Sequence, residues 1–260
     1  MAKLARAARG SLLTVEAGAK ALELDRRVTA MKLAALARRG WLLRVRRGLY
    51  LVLPLEAEPG RPMVVEDPWA LAQAVFSPCY IGGWSAAEHW GLTEQIFRST
   101  LVVTAANIRS RSVHLLGHEF RLFWVPRERT GGATLVWRGS ERVSVSGPER
   151  TIVDCLRHPG LCGGIRHLVQ IMGEYGQSRE HDFTNLSRVA EEFGTGAAWK
   201  RLGCIAEALW PNESALIEEA RRRITTGYVK LDPAVKKRGT LSRRWRLWVN
   251  ASIVRDTAAA

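Results

Sequence analysis

The spacing of apolar and polar positions in the first 52 residues predicts three short helices followed by a β-hairpin. An amphipathic pattern covers residues 1–13. Thr14 is placed to cap a second helix that runs to Ala21, and Asp25 to cap a third that runs to Arg39. In the third helix, the apolar residues that recur at helical spacing and are expected to pack inward are Ala30, Leu33, Leu36 and Ala37.

The predicted hairpin is unusually basic. Residues 42–45 and 49–52 are short apolar runs, and Arg46, Arg47 and Gly48 between them have the composition of a turn. Gly40 is expected to end the preceding helix. Five arginines fall within residues 38–47. Such a density costs electrostatic repulsion unless the side chains face solvent or an anion, so it indicates a polyanionic partner.

The remainder of the chain has the pattern of a mixed α+β protein. A helix is expected to open at Asp67 and Pro68. Short β-rich runs follow at residues 100–105, 112–115, 119–125, 133–138 and 141–146. Helices are expected at residues 148–157, 165–175, 185–193, 197–209 and 212–224. We therefore predict an N-terminal winged helix-turn-helix followed by a mixed α/β region with an antiparallel sheet and helices.

Four segments follow from this pattern. Residues 1–55 form the predicted DNA-binding domain, and residues 56–66, with two prolines and a glycine, form a linker. Residues 67–200 are expected to form an α+β domain and residues 201–260 a C-terminal helix and strand subdomain.

Several polar residues after the predicted linker are candidates for a chemical role. Ser85 with Glu88, and Ser146 with Glu149, have the spacing of capping boxes, which explains Ser85 better than a nucleophilic role does. Asp154 lies mid-helix, where it could be a catalytic carboxylate but more often would be a solvated or locally bonded acid. Basic residues expected on helix starts or polar faces are Arg166, His167, Lys200 and Arg201.

The distribution of charge along the chain indicates what kind of partner the protein binds. The 260 residues contain 39 Lys and Arg against 25 Asp and Glu, a formal net charge of +14. The first 55 residues hold 12 of these bases and three of the acids, or +9. That concentration favours a localised nucleic-acid face, although the remaining +5 also fits a generally basic protein.

Cysteine spacing and hydropathy favour an intracellular protein. Cys79, Cys155, Cys162 and Cys204 show no CxxC spacing, so buried thiols in a reducing cytosol are expected rather than a metal site. No apolar run reaches the length of about 18 residues that spans a bilayer. We therefore expect a soluble cytoplasmic protein.

The third helix and the hairpin supply the candidate DNA-binding residues. These are Arg26, Arg27, Met31, Lys32, Arg38, Arg44, Arg46 and Arg47. Cations can reach phosphates or base edges, and Val28 and Met31 can contact thymine methyl groups. An ordinary solvated helix face is the alternative, but the apolar middle of this face argues against it.

The C-terminal region leaves two interpretations open. Lys236, Lys237, Arg238 and Gly239 form a basic loop, and residues 244–250 are predicted to form a strand with two tryptophans. The strand could be a second surface for RNA or protein. It could equally be an edge strand whose arginines prevent unwanted pairing.

Motifs along nearly the whole chain resemble the AbiEi family of antitoxins and transcriptional regulators in type IV (AbiE-like) toxin–antitoxin systems. They are RRGWLLRVRRGLYLV, YIGGWSAAEHWGLTEQIFRST, PERTIVDCL, CGGIRHL, KRLG and LDP, at residues 38–52, 80–100, 148–156, 162–168, 200–203 and 231–233. The resemblance implies a role in phage defence, with a partner toxin of the AbiEii nucleotidyltransferase type. It also implies repression of the shared promoter at inverted repeats in double-stranded DNA, and toxin neutralisation by the C-terminal region.

Two other functions compete with this one. A stand-alone winged-helix repressor would sense a small ligand and have no toxin partner. A winged-helix-targeted nuclease would need paired acids and a lysine to hold Mg²⁺, and Asp154, Lys230 and Asp232 are poor material for such a site. We therefore expect no enzymatic activity, no catalytic or metal-binding residues and no cofactor.

Overall fold

The computed structural model describes residues 1–8, 12–52, 67–139 and 141–253. The N-terminal unit contains α1 (Ala2–Ala7), β1 (Leu12–Thr14), α2 (Val15–Leu22), α3 (Arg26–Arg38), β2 (Leu42–Arg46) and β3 (Leu49–Val52). Both predicted caps are present: Thr14 Oγ1 accepts from the Ala17 amide at 3.0 Å, and Asp25 Oδ1 from the Arg27 amide at 2.6 Å. The predicted linker, residues 56–66, lies outside the described residues.

The prediction of a first helix over residues 1–13 was wrong. The helix ends at Ala7, and Leu12–Thr14 pairs with β3 as an antiparallel strand. Residues 12–14 are extended because they pair with a strand almost 40 residues away, and the local pattern of apolar residues carries no information about such pairing. The resulting sheet has the order β1-β3-β2.

Each face of this small sheet buries apolar residues. Leu13 and Tyr50 face a core with Leu4 and Leu33, inside the N-terminal unit. On the other face, the side chains that join the core of the rest of the protein are Leu12, Leu49 and Leu51. The N-terminal unit is therefore packed against the body of the protein through β1 and β3.

The body is built on a six-stranded sheet. Its elements are α4 (Pro68–Phe76), β4 (Cys79–Ile81), α5 (Gly83–His89), β5 (Ser99–Thr104), β6 (Ser112–Leu115), β7 (His118–Trp124), β8 (Thr134–Arg138) and β9 (Glu141–Val145). The strand order is β6-β7-β5-β4-β9-β8. The α+β class is confirmed, but the prediction of an antiparallel sheet was wrong, because β4 with β9 and β5 with β7 are parallel pairs.

Helices and a small sheet complete the chain. They are α6 (Pro148–Arg157), α7 (Ile165–Gln177), α8 (Phe183–Phe193), α9 (Gly196–Leu209), α10 (Ser214–Arg222), β10 (Val229–Lys230), β11 (Thr240–Ser242) and β12 (Leu247–Val249). Helix α9 runs across the predicted segment boundary after residue 200. The strand predicted over residues 244–250 is shorter, because Arg244 and Trp245 lie in a turn.

The six-stranded sheet separates two apolar cores. Ile81 and Val102 lie on the side of α4 and the N-terminal unit. Leu101 lies on the opposite side with α6 to α10 and β12, and Tyr80 reaches α6 on that same side. Successive residues of one strand thus pack in different cores, as the pleat of a strand requires.

Both predicted capping boxes were wrong. Helix α5 begins at Gly83, so Ser85 lies inside it, and the Ser85 hydroxyl accepts from the Leu101 amide at 2.9 Å. Ser146 is bonded to the Thr151 hydroxyl at 2.7 Å instead of capping α6. Glycines occupy the N-cap positions of both helices, and the serines join helix to strand or bond within the helix start.

Lys200 and Arg201 are buried and connect the C-terminal elements, so the prediction that they lie on polar helix faces was wrong. The Arg201 guanidinium donates to the Leu231 and Leu156 carbonyls, both at 2.8 Å. Lys200 donates to the Gly227 carbonyl. His167 is also buried, and Arg166 is exposed as expected. Within the described ranges, no helix combines the length and hydropathy needed to cross a bilayer.

Candidate nucleic-acid interface

Helices α2 and α3 are joined by a tight turn. Glu23 takes a left-handed conformation with φ of 55°, and Asp25 caps α3 two residues later. A turn of about three residues between two helices is typical of helix-turn-helix units. Thr29 and Leu33 are buried, so this side of α3 faces the N-terminal core.

The opposite side of α3 is solvent-exposed and mixes cations with apolar groups. Arg27, Lys32 and Arg38 are exposed. Between them, Val28 and Met31 are 44% and 60% exposed. We call this surface the α3 face. An apolar patch in the middle of a cationic helix face is unfavourable in water and suits a ligand that offers both phosphates and methyl groups.

Residues 42–52, the basic hairpin, follow directly from α3. The Trp41 amide donates to the Leu36 carbonyl and the Gly40 amide to the Ala37 carbonyl, both at 3.1 Å. These bonds fix the start of β2 against the last turn of α3. The hairpin therefore holds a defined position relative to the α3 face.

The tip of the basic hairpin points its arginines into solvent. Gly48 has φ of 81°, which allows the tight turn. Leu49 is buried and Val45 packs against the body core. The three hairpin arginines, Arg44, Arg46 and Arg47, are exposed. One side of the hairpin is anchored and the other remains available to a ligand.

All eight predicted DNA-binding residues are exposed, and seven of them are cations. Among the described residues, none of these seven side chains has an ion pair or a hydrogen bond. The nearby Asp25 carboxylate is engaged by the Arg27 and Val28 amides. Sequence reasoning missed two exposed apolar neighbours, Trp41 and Leu43. The alternation of β2, with Leu42 buried, could have revealed Leu43.

A separate cluster of ionisable groups is buried in the body. Asp154 Oδ2 accepts from the Tyr80 hydroxyl at 2.7 Å and from Arg150 Nε at 3.0 Å. Asp154 Oδ1 lies 3.6 Å from Arg157 Nη1. Asp154 is 3% exposed, so of the two expected alternatives a solvated acid was wrong, whereas a locally bonded acid is confirmed by Arg150 and Arg157 on the same helix.

This cluster joins three parts of the body. Arg150 donates to the Arg129 carbonyl at 2.9 Å and its guanidinium carbon lies 3.4 Å from the Phe193 ring centroid. Burial, followed by the charge of Asp154, raises the pKa of Tyr80. Burial lowers the pKa of Arg157. Because both carboxylate oxygens of Asp154 face donors and the cluster is enclosed, the geometry is that of a structural tie between β4, α6 and α8.

A cleft of about 560 Å³ lies where the N-terminal unit meets the body. Apolar residues from both sides line it, including Leu12, Leu49 and Ala74, together with Lys20 and Arg142. In the part of the chain that the structure describes, no three His, Cys, Asp or Glu side chains are grouped so as to hold a metal ion. All four cysteines are buried and free, as the sequence predicted.

Comparison with known proteins finds a structure of similar fold but identifies no function. No protein-family model matches the chain, and no curated protein matches it. Among solved structures, the RV2827C protein from Mycobacterium tuberculosis is similar, with a TM-score of 0.56 and 17% sequence identity. The match covers 91% of this chain and 85% of that one. At this identity the likeness establishes a shared fold over most of the molecule.

Proposed function

We propose that the protein is a transcriptional repressor that binds double-stranded DNA through the α3 face and the basic hairpin. The proposal is supported by the order of elements, α1-β1-α2-α3-β2-β3, and by the sheet order β1-β3-β2, which are those expected of a winged helix-turn-helix. The observation that carries the proposal is the set of seven exposed cations on these two adjoining elements, for which the described part of the chain supplies no ion-pair partner. They give a polyanion a contact surface without breaking any existing ion pair.

In this proposal, α3 lies in the major groove. Lys32 and Arg27 contact base edges or phosphates, and Met31 and Val28 contact thymine methyl groups. Arg46 and Arg47 contact the phosphate backbone or the adjacent minor groove. The hydrogen bonds that hold β2 against α3 allow both contacts to form in one register.

The resemblance to AbiEi proteins extends the proposal to an antitoxin. On that basis, the repressed promoter is the protein's own and contains inverted repeats. The partner is a nucleotidyltransferase toxin of the AbiEii type, and the body of the protein neutralises it. The six-stranded sheet places most of the body on the other side from α3, which is compatible with two separate binding activities.

The DNA proposal is tested with the double variant Arg46→Ala, Arg47→Ala in a gel-shift titration against the promoter of its own operon. Each phosphate contact contributes about 0.9 to the slope of log affinity against log salt. The variant should therefore bind more weakly, with a slope smaller by about 2. Arg166→Ala with Arg179→Ala, two exposed arginines on and after α7, is the matched control. Unchanged promoter affinity in the hairpin variant would overturn the assignment.

The antitoxin proposal is tested with the same full-length variant. Co-expressed with the nucleotidyltransferase encoded in the same operon, the hairpin variant should still restore growth although it no longer represses the promoter. Loss of rescue by a folded hairpin variant would contradict a separate neutralising surface.

A second candidate function, that of a ligand-sensing repressor, is favoured by the cleft between the N-terminal unit and the body. A ligand there would contact both and could alter the position of α3. An apolar probe, anilinonaphthalene sulfonate, should bind in this cleft and be excluded by Ala74→Trp. Equal probe fluorescence in both proteins would count against this function.

A further inference from the structure

The positive charge of the chain is concentrated in two places rather than one. Residues 221–246 contain ten basic residues and one acid, Asp232, which is buried. Residues 56–220 contain 16 basic residues against 20 acids. The excess over the whole chain therefore comes from the N-terminal unit and from the small C-terminal sheet with its flanking loops.

The small sheet has one face toward the core and one toward solvent. Val229, Leu247 and Val249 pack into the core on the helical side of the six-stranded sheet. In the pairing register, Lys230 and Leu241 both lie beside Trp248. These three side chains therefore share the opposite face, which we call the outer face.

The outer face and its rim combine aromatic and cationic groups. Trp248 is half-buried, and the Arg238 guanidinium lies over its ring at 3.9 Å. Tyr228, which precedes β10 on the same alternation as Lys230, is 49% exposed. The cations around these aromatics that are exposed and have no ion pair among the described residues are Lys236, Lys237, Arg238 and Arg243.

Other arginines nearby are already engaged. Arg244 Nε lies 2.7 Å from Glu207 Oε1, and Arg246 donates to the Thr225 carbonyl at 3.3 Å. These two stabilise the turn before β12 and its attachment to the body. The free cations are thus those of the loop before β11 and of the turn after it.

Hydrogen bonds from the Lys230 and Asn250 side chains hold the basic loop in one conformation. Lys230 Nζ donates to the carbonyls of Val235 and Lys236, both at 2.9 Å. The Asn250 side-chain Nδ2 donates to the carbonyls of Asp232 and Lys237, at 2.8 and 3.1 Å. A loop that is already ordered loses little conformational entropy when it binds.

We propose that the outer face of the small sheet binds single-stranded nucleic acid. Tyr228 and the Arg238 guanidinium stacked on Trp248 offer flat surfaces to unpaired bases, and Lys236, Lys237 and Arg243 contact phosphates. Sheet surfaces that combine aromatics with cations are a recurrent platform for single strands. A duplex keeps its bases stacked on one another and cannot use Tyr228. An acidic protein surface would need the cations but not the aromatic groups.

This surface is distinct from the α3 face. The small sheet belongs to the core on the helical side of the six-stranded sheet, whereas β1 and β3 of the N-terminal unit pack on the other side. The inference therefore does not rest on the proposed repressor function.

The experiment measures fluorescence anisotropy of labelled 12-nucleotide oligouridine RNA, oligothymidine DNA and a duplex of the same length. The full-length Arg46→Ala, Arg47→Ala protein is used, so that duplex binding by the hairpin does not mask the result. Both single strands should bind more tightly than the duplex. The tighter of the two identifies RNA or DNA as the source of the ligand.

Two sets of substitutions test the roles of the residues. Tyr228→Ala should weaken single-strand binding by about 5- to 100-fold, Tyr228→Phe should restore it, and neither should change residual duplex binding. Lys236→Ala with Lys237→Ala should lower the salt slope by about 1.4, at about 0.7 per phosphate contact on a single strand. Arg166→Ala with Arg179→Ala is again the control.

Equal affinity for single strands and duplex would overturn the proposal. So would unchanged single-strand affinity in Tyr228→Ala, because the surface would then be a general attractor of polyanions, including acidic proteins. A negative result in this experiment would not contradict promoter binding through the basic hairpin. Likewise, unchanged promoter affinity in the gel shift would not contradict single-strand binding by the outer face.

Discussion

The Tyr80 hydroxyl donates to Asp154 Oδ2 at 2.7 Å, although 74 residues separate them and both are buried. This contact joins β4 to α6 and aligns Asp154 between Arg150 and Arg157. Tyr80→Phe removes one donor and should lower the free energy of unfolding by about 1 to 3 kcal/mol. The measurement is urea unfolding, with the exposed-phenol change Tyr228→Phe as a control that should be neutral.

Loss of the carboxylate charge should cost more than loss of the phenol. Asp154→Asn leaves two buried guanidinium groups without their counter-charge, and breaking a buried pair typically costs about 3 to 5 kcal/mol. Urea unfolding of Asp154→Asn should show a larger loss than that of Tyr80→Phe. Equal stability of Asp154→Asn and the unaltered protein would show that the cluster is not a structural tie.

Gly203 in α9 allows Trp245 to pack directly against the helix backbone. An added Cβ at Gly203 would lie 2.0 Å from Trp245 Cζ3, and Trp245 is buried. Alanine in a helix interior otherwise gains about 1 kcal/mol over glycine. Gly203→Ala should nevertheless lower the free energy of unfolding by about 1 to 3 kcal/mol, and this loss can be assigned to the clash with Trp245.

Thermal unfolding provides the readout for Gly203→Ala. Gly227→Ala is the matched control, since a Cβ added at Gly227 would meet no atom within 4 Å. The Gly203 variant should also expose Trp245 and shift the tryptophan emission. A melting temperature equal to that of the control would contradict the tight packing.

His167 should make the protein less stable in acid. Its Nδ1 is bonded to the Cys162 carbonyl at 2.5 Å, so Nδ1 carries the proton and Nε2 accepts from the Thr93 hydroxyl at 2.8 Å. Burial lowers the pKa of His167 below its ordinary 6.5. The unfolded chain then binds a proton more readily than the folded one, so stability is lost as the pH falls below about 6.5.

Urea unfolding at pH 7.5, 6.5 and 5.5 measures this dependence. His167→Gln should be less stable at pH 7.5 and should show a shallower fall toward pH 5.5. His114→Gln, at an exposed position of β6, should keep the full fall. Parallel pH profiles for His167→Gln and the unaltered protein would assign the fall to other groups.

If the protein binds DNA as proposed, contacts from α3 and from the hairpin should differ in their effect on DNA specificity. Arg47→Ala should weaken binding to the promoter and to unrelated DNA by similar factors, because phosphates carry no sequence information. Lys32→Ala should weaken promoter binding more, and reduce discrimination by about 1 to 3 kcal/mol. Competition titrations with unrelated duplex measure both, and equal discrimination in the two variants would place α3 outside the major groove.

Elements with local signals could be predicted from the sequence. Thr14 and Asp25 cap helices as expected, because an N-cap bond spans only two or three residues. The alternating strands 112–115 and 119–125 were also found close to their observed positions. The seven cations of the candidate interface are exposed as expected, since their charge density already opposed burial.

Features that depend on distant partners could not be predicted. Strand β4 has three residues, all buried, and local patterning gave no signal for it. Lys200 and Arg201 were expected on helix starts or polar faces, because their partners are backbone carbonyls that lie far away in sequence. The Tyr80 hydroxyl, a partner of Asp154 from 74 residues away, was missed for the same reason. The basic loop at residues 236–239 was noted from the sequence, but the full charge of residues 221–246 was missed, because it was averaged with the acidic stretch between residues 56 and 220.

Neighbouring residues of β4 serve opposite sides of the sheet, Tyr80 toward the ionic cluster and Ile81 toward α4. A slip of this strand by one residue would drive the Tyr80 phenol into an apolar core and leave Ile81 facing Arg150. Because both unfavourable contacts would form in the same slipped register, that register would be less stable on each face of the sheet. The three residues Cys79–Ile81 therefore fix the register of β4 against its two neighbours, β5 and β9, at the centre of the sheet.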